Sequence, residues 1–230
     1  YLQELTLSTS VERWNRLTNH ITKWFYKPDL EALEVAITAA SAHHVVDGDP
    51  IWLFVVGPSG SGKTSIVINA LQGLPRTHIM GDLTSKTFIS DYTRPKQEEA
   101  SFLHQVGKSG ILLFKDFTTF LSKREDEKME IAAQLREIYD GRWSRRTGRG
   151  RSDAEGALWE GKISVVAAAT PYLDRQWSVL RELGERFVTV RWPRVGGVAL
   201  ARMAAKQRGR DTNIAHELRE LTRDFTRAPL

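Results

Sequence analysis

The stretch "IWLFVVGPSGSGKTSIVINALQ", residues 51–72, decides how this chain folds. It opens with a continuous apolar run, Ile51 to Val56, the pattern of a strand buried on both faces of a parallel sheet. It closes on a segment, Lys63 to about Gln72, that predicts a helix. Between the two, "GPSGSGKT" satisfies G-x-x-x-x-G-K-[ST] in the strand-to-helix setting that gives this pattern its meaning. Glycines let the backbone curl, so that its N–H groups surround a phosphate. The expected nucleotide-binding residues are Gly57, Pro58, Ser59, Gly60, Ser61, Gly62, Lys63, Thr64 and Ser65. Lys63 is expected to reach the β- and γ-phosphates of a nucleoside triphosphate, and Thr64 to hold Mg²⁺.

Working outward, "ILLF", "ISVVAAA" and the shorter "FVTV" are further apolar runs, separated by stretches long enough for helices. That alternation predicts an α/β fold with parallel strands. Upstream, Val11 to Tyr26 repeats apolar and aromatic residues at helical spacing, and a second helix is expected from Leu30 to His44, after "KPD". Ile131, Leu135 and Ile138 share one face of a helix spanning Glu125 to Tyr139, with Gly141 as its stop. "RWSRRTGRGRSDAEGALWEGK", about 142–162, reads as two short strands around a glycine-rich turn. Beyond Pro193 two helices are expected, near 196–208 and 212–226. The expected organisation is an amphipathic N-terminal helix (1–28), an α/β core (29–193) carrying the basic hairpin, and a partial helical lid (194–230).

Composition narrows the function classes. The chain has 230 residues, 41% apolar and 27% charged, enough for a real core. Cysteine is absent, which removes disulfides and thiolate metal sites. No apolar run approaches the roughly 18 residues of a membrane span and no signal peptide opens the chain, so the expected location is the cytoplasm, with no membrane partner. The sequence opens on Tyr1 rather than Met, so a leader segment is expected to be missing. Net charge is +5, and five arginines without an acid fall between Arg142 and Arg151. Such a block suits a polyanion, although charge runs are also common in solvated loops. His43 and His44 lack the partners of a metal site and are placed near an adenine pocket or on the surface.

The order of "GPSGSGKT", "GILLFKDF", "ISVVAAATP" and "LGERF" resembles the AAA+ ATPases over roughly residues 30 to 226. More narrowly it resembles the branch with a β-hairpin before the sensor strand, which holds minichromosome-maintenance helicases and bacterial enhancer-binding activators. The activators' Gly-Ala-Phe-Thr-Gly-Ala signature does not occur between Thr77 and Gly110, which counts against transcriptional activation. The resemblance implies a five-stranded, mostly parallel sheet between helices, that Thr170 contacts the γ-phosphate or the attacking water, and that Arg186 is an arginine finger reaching a neighbouring subunit's nucleotide. It also implies a homo-oligomer, a ring or spiral such as a hexamer, acting on DNA through Arg142, Arg145, Arg146, Arg149 and Arg151. Trp143 and Trp159 either stack on bases or pack the hairpin, and packing is favoured. For the second sensor, Arg202 and Arg219 are both conceivable.

"GILLFKDF", residues 110–117, admits two registers. In one, Asp116 is the Mg²⁺-linked acid and Phe117 replaces the catalytic glutamate. In the other, which matches more flanking residues, Lys115 replaces the metal-linked acid and Asp116 prepares the water. Read without the family, Asp116 is a cap on the turn that follows it. Either register removes one of the two usual acids, so slow or partner-triggered hydrolysis is expected. The leading expectation is a DNA-acting ATPase of helicase or helicase-like type, with ATP and Mg²⁺ as cofactors. The competing one is a nucleotide-gated clamp, loader or matchmaker with weak or no turnover. The N-terminal helix is expected to dock on the core, on a neighbour or on another protein.

Overall fold

A computed structural model describes residues 2–44, 48–85, 87–88, 102–144, 158–194 and 196–227. Its centre is one sheet of five strands: Trp52–Val56 (β1), Thr77–Met80 (β2), Ser109–Phe114 (β3), Lys162–Ala169 (β6) and Phe187–Arg191 (β7). Arg142–Ser144 (β4) and Leu158–Glu160 (β5) form a separate antiparallel pair. The order is β2-β3-β6-β1-β7, every pairing is parallel, and β1 lies inside with all five residues buried. The apolar runs thus predict their strands, but β2 has no such run. It is an edge strand on which only Met80 is buried, so burial demands little of "THIM" and leaves no pattern to read.

Side chains alternate between two cores, as strand geometry requires. Leu53, Val55, Ile111, Leu113 and Val166 face one side. There they meet Leu30–Ser41 (α2), Asn69–Leu71 (α3), Leu2–Trp24 (α1) and Asp211–Phe225 (α9). Trp52, Phe54, Leu112, Phe114 and Val165 face the other. That side is covered by Phe102–Val106 (α4), Thr118–Leu121 (α5), Glu125–Tyr139 (α6) and Trp177–Leu183 (α7). The result is a three-layer α/β/α sandwich.

Several expected helices shift at their ends. The segment after the glycine-rich loop opens with a wide π-helical turn, Thr64–Ile68, before α3. Helix α2 is capped by Asp29, whose Oδ1 accepts the Ala32 N–H at 2.9 Å, and it ends at Ser41, giving way to a tighter turn, Ala42–His44. Helix α1 stops at Trp24, with Lys27 at φ 45° and Pro28 beyond it. Gly141, at φ 84°, ends α6 as expected.

The N-terminal helix is not a free unit. Leu17 and Ile21 are fully buried, and α1 runs antiparallel along α9. Arg16 pairs with Asp224, Arg13 donates to the Arg227 carbonyl (2.8 Å), and His20 Nε2 lies 3.2 Å from the Ile214 carbonyl. A partner protein on α1 would have to use its other face. No helix among the described residues is long and apolar enough to cross a membrane.

Candidate functional site

The loop after β1 emerges at the carboxyl end of the sheet, where open α/β sheets bind ligands. Gly60 and Gly62 take φ values of 69° and 91°, which glycine alone adopts without strain. Gly57 serves a different need: a Cβ there would fall 2.6 Å from the Trp192 carbonyl oxygen. Trp192, nearly fully buried just past β7, clasps the loop twice. Its backbone N–H donates to the Val56 carbonyl (2.7 Å) and its indole Nε1 donates to the Ser61 carbonyl (2.8 Å). Inside the curl, Lys63 Nζ donates to the carbonyls of Gly57 (2.5 Å) and Pro58 (2.7 Å). Burial holds the Lys63 ammonium below the ordinary lysine value, and the Asp116 carboxylate opposes that shift.

Two neighbouring strand ends complete the floor. Beyond β3, Lys115 and Asp116 are both exposed and both line the cavity. The Thr64 hydroxyl lies 3.5 Å from the Lys115 carbonyl oxygen. Asp116 caps the following turn, its Oδ1 accepting the Thr118 N–H at 2.9 Å, so the bland reading of this residue is realised in one of its two oxygens. Phe117 turns into the core among Phe54, Phe114 and Phe120. Beyond β6, Thr170 also lines the cavity. Its backbone N–H donates to Thr118 Oγ1 (3.2 Å), and the two hydroxyls lie 3.3 Å apart.

The cavity measures about 550 Å³, a size for a cofactor-sized ligand. Its far wall comes from both ends of the sequence. Phe25 and Tyr26 follow α1, while Leu200, Met203 and Gln207 belong to Val198–Gln207 (α8). Gln207 Nε2 donates to the Trp24 carbonyl, tying α8 to the end of α1.

Sequence reasoning therefore finds the loop, Lys63, Thr64, Asp116 and Thr170 together, and misses Trp192, Thr118, Phe25 and Tyr26. His44 does not line the cavity; it lies at the other end of β3, with Nδ1 3.3 Å from Arg76 Nη2 and from Ser109 Oγ. Burial, with Arg76 beside it, lowers its pKa. The His43 side chain lies outside the described residues. Neither Arg202 nor Arg219 lines the cavity: Arg202 is exposed on α8, and the Arg219 carbonyl packs so closely on Gly73 that a Cβ there would sit 2.2 Å away.

Arg186 lies elsewhere as well. It precedes β7, whose first residue pairs with Trp52 and whose last pairs with Val56. It is thus at the amino end of the sheet, roughly 15 Å of strand from the loop. There it donates to both oxygens of Asp140 (3.1 and 3.3 Å) and stacks over Tyr139. The hairpin is rooted at that same end, Gly161 N–H donating to the Gly141 carbonyl and Lys162 N–H to that of Lys108. Arg142 is exposed near Glu160, while Trp143 and Trp159 are buried in the core, which settles them as packing residues. Arg145, Arg146, Arg149 and Arg151 lie outside the described residues.

No family profile and no curated protein sequence matches the chain. Among solved structures it resembles the A form apo structure of the NrS-1 C-terminal region, at 11% identity and a TM-score of 0.46. The likeness covers 95% of this chain and 46% of that one, so the chain spans under half of its neighbour's length. At that score it carries no argument about function.

Proposed function

We propose that this chain is an ATP-binding ATPase of the AAA+ kind that works on DNA as a homo-oligomer. The observation that carries the reading is one cavity in which a three-glycine loop, the Lys63 ammonium, the Thr64 hydroxyl, the Asp116 carboxylate and the Thr170 hydroxyl converge. The glycines leave room for backbone N–H groups to approach phosphate oxygens, and Lys63 exchanges its loop carbonyls for them. Phe25, Tyr26, Leu200 and Met203, which line the same cavity, offer an apolar surface for the base. Thr64 supplies a hard oxygen donor that fits Mg²⁺ and would hold it together with the phosphate oxygens, with Asp116 joining it only in the register that makes Asp116 the metal-linked acid. Bound there, the ion would neutralise charge on the phosphate oxygens.

Phe117, buried in the core and so withdrawn from the site, favours the register in which Asp116 prepares the water. Asp116 accepts the proton as water attacks the γ-phosphorus, the bond from that phosphorus to the bridging oxygen breaks, and ADP departs. Thr118 fixes Thr170, so the Thr170 hydroxyl is oriented before the nucleotide arrives. Arg186, too distant for its own chain's cavity, suits a contact with the nucleotide of another copy.

The test is ATP turnover with and without DNA. Lys63→Ala should abolish binding, and Asp116→Asn should slow turnover on the order of 10²–10⁴-fold. Arg186→Ala should be inactive alone and regain part of the activity when mixed with Lys63→Ala, because some shared sites then pair the intact loop of one chain with the intact finger of the other. Full activity in all three variants sinks the reading. One observation favours a second reading, a nucleotide-gated clamp or loader: Asp116, the only carboxylate among the described residues that line the cavity, already accepts a backbone N–H. Assembly on ATP without turnover would select it.

A further inference from the structure

Lys115 has no task in the mechanism above. It follows β3 directly, its carbonyl is pinned beside Thr64, and it lines the cavity with Lys63 and Thr170. Among the described residues its ammonium makes no hydrogen bond and no ion pair. Asp116 next to it makes no ion pair with it, and its Oδ1 accepts the Thr118 N–H. Across the described cavity lining, the charged side chains are Lys63, Lys115 and Asp116: two cations against one carboxylate.

That balance lowers the site's dependence on a metal ion for holding phosphate. Where two acids close a phosphate site, a bare polyphosphate is repelled and a divalent ion must come between them. Here the fixed charge is already positive. A lysine is a compact point charge on a flexible four-carbon stem, well suited to a phosphate oxygen whose position is not fixed to a fraction of an ångström.

We propose that Lys115 is a second phosphate-binding cation, so that the site takes a nucleoside triphosphate in its metal-free form nearly as tightly as in its Mg²⁺ complex. The proposal rests on the nucleotide reading of the cavity and deepens it. The ammonium approaches the terminal phosphate from the β3 side while Lys63 approaches from within the loop. The triphosphate is then clamped between two strand ends separated by β6.

Equilibrium binding of ATP to the full chain, in Mg²⁺ and in EDTA, tests this. The parent should lose less than about tenfold in affinity on removing the metal, where tenfold equals about 1.4 kcal/mol. Lys115→Ala should weaken binding by about tenfold or more in EDTA, and much less in Mg²⁺. Lys115→Asp should make binding depend on Mg²⁺. In EDTA, inorganic tripolyphosphate should displace ATP from the parent, which assigns the contact to phosphate rather than base. Lys115 is exposed, and matched melting curves will show that the variants fold alike. Binding lost in EDTA by the parent, or equal EDTA affinities for parent and Lys115→Ala, overturns the proposal. No ATP binding in either buffer, with Lys63→Ala indistinguishable from the parent, instead overturns the nucleotide reading beneath it.

Discussion

Gly57 and Trp192 show how little room the loop has. The position Cβ would take at Gly57 is 2.6 Å from the Trp192 carbonyl oxygen and 2.9 Å from its Cβ, and backbone cannot swing aside as a side-chain tip can. Gly57→Ala is therefore expected to push the loop away from β7, lowering ATP affinity by about tenfold or more and the melting temperature by several degrees. Titration calorimetry and thermal denaturation check both. The loop itself was legible because its meaning is local: glycines, lysine and threonine at fixed spacing between a strand and a helix. Trp192 was not, because its hydrogen bond spans 131 residues of sequence and no spacing rule reaches that far. Thr118 escaped for the opposite reason, being an ordinary turn residue until Thr170 is brought beside it.

Among the elements, the buried strands announced themselves and the edge strand β2 did not. Strands β1, β3 and β6 must fill both cores and so read as apolar runs, whereas β2 needs one buried residue and reads as loop. Helical periodicity likewise gave α1 an apolar face without saying what covers it. Its partner, α9, lies at the far end of the sequence, yet the seam is substantial. Leu17 is fully buried in it, and Leu17→Ala should cost about 2–5 kcal/mol of stability. Because Phe25 and Tyr26 continue from α1 into the cavity, the same variant should also weaken ATP binding. Chemical denaturation and ATP titration of one preparation check the two effects together. Destabilisation with affinity untouched would mean that the aromatic wall is held by something other than α1.

For the molecule as a whole, the alternation of apolar runs and helical stretches was enough to predict the layered α/β plan, since each layer must bury one face against the next. What could not be read was which end of the sheet each motif occupies. The loop, Lys115, Asp116 and Thr170 gather at the carboxyl end, while Arg186 and the hairpin roots lie at the amino end. If Arg186 serves another copy's nucleotide, turnover per chain should rise with protein concentration until assembly is complete, and Arg186→Ala should flatten that curve. Turnover per chain that is constant over a hundredfold dilution would place the whole reaction within one copy.

The seam between α1 and α9 also has a mechanical side. The Arg13 contact with Arg227 and the Arg16 contact with Asp224 lie toward the two described ends of the chain, and Trp24, with Arg210 stacked over it, lies at the inner end of the seam. A pull on both ends would load this seam as a zipper rather than in shear, parting its contacts one after another from the outside inward. The last to give would be the turn that carries Phe25 and Tyr26. Tension along the chain is thereby delivered to the cavity's aromatic wall before it reaches the sheet.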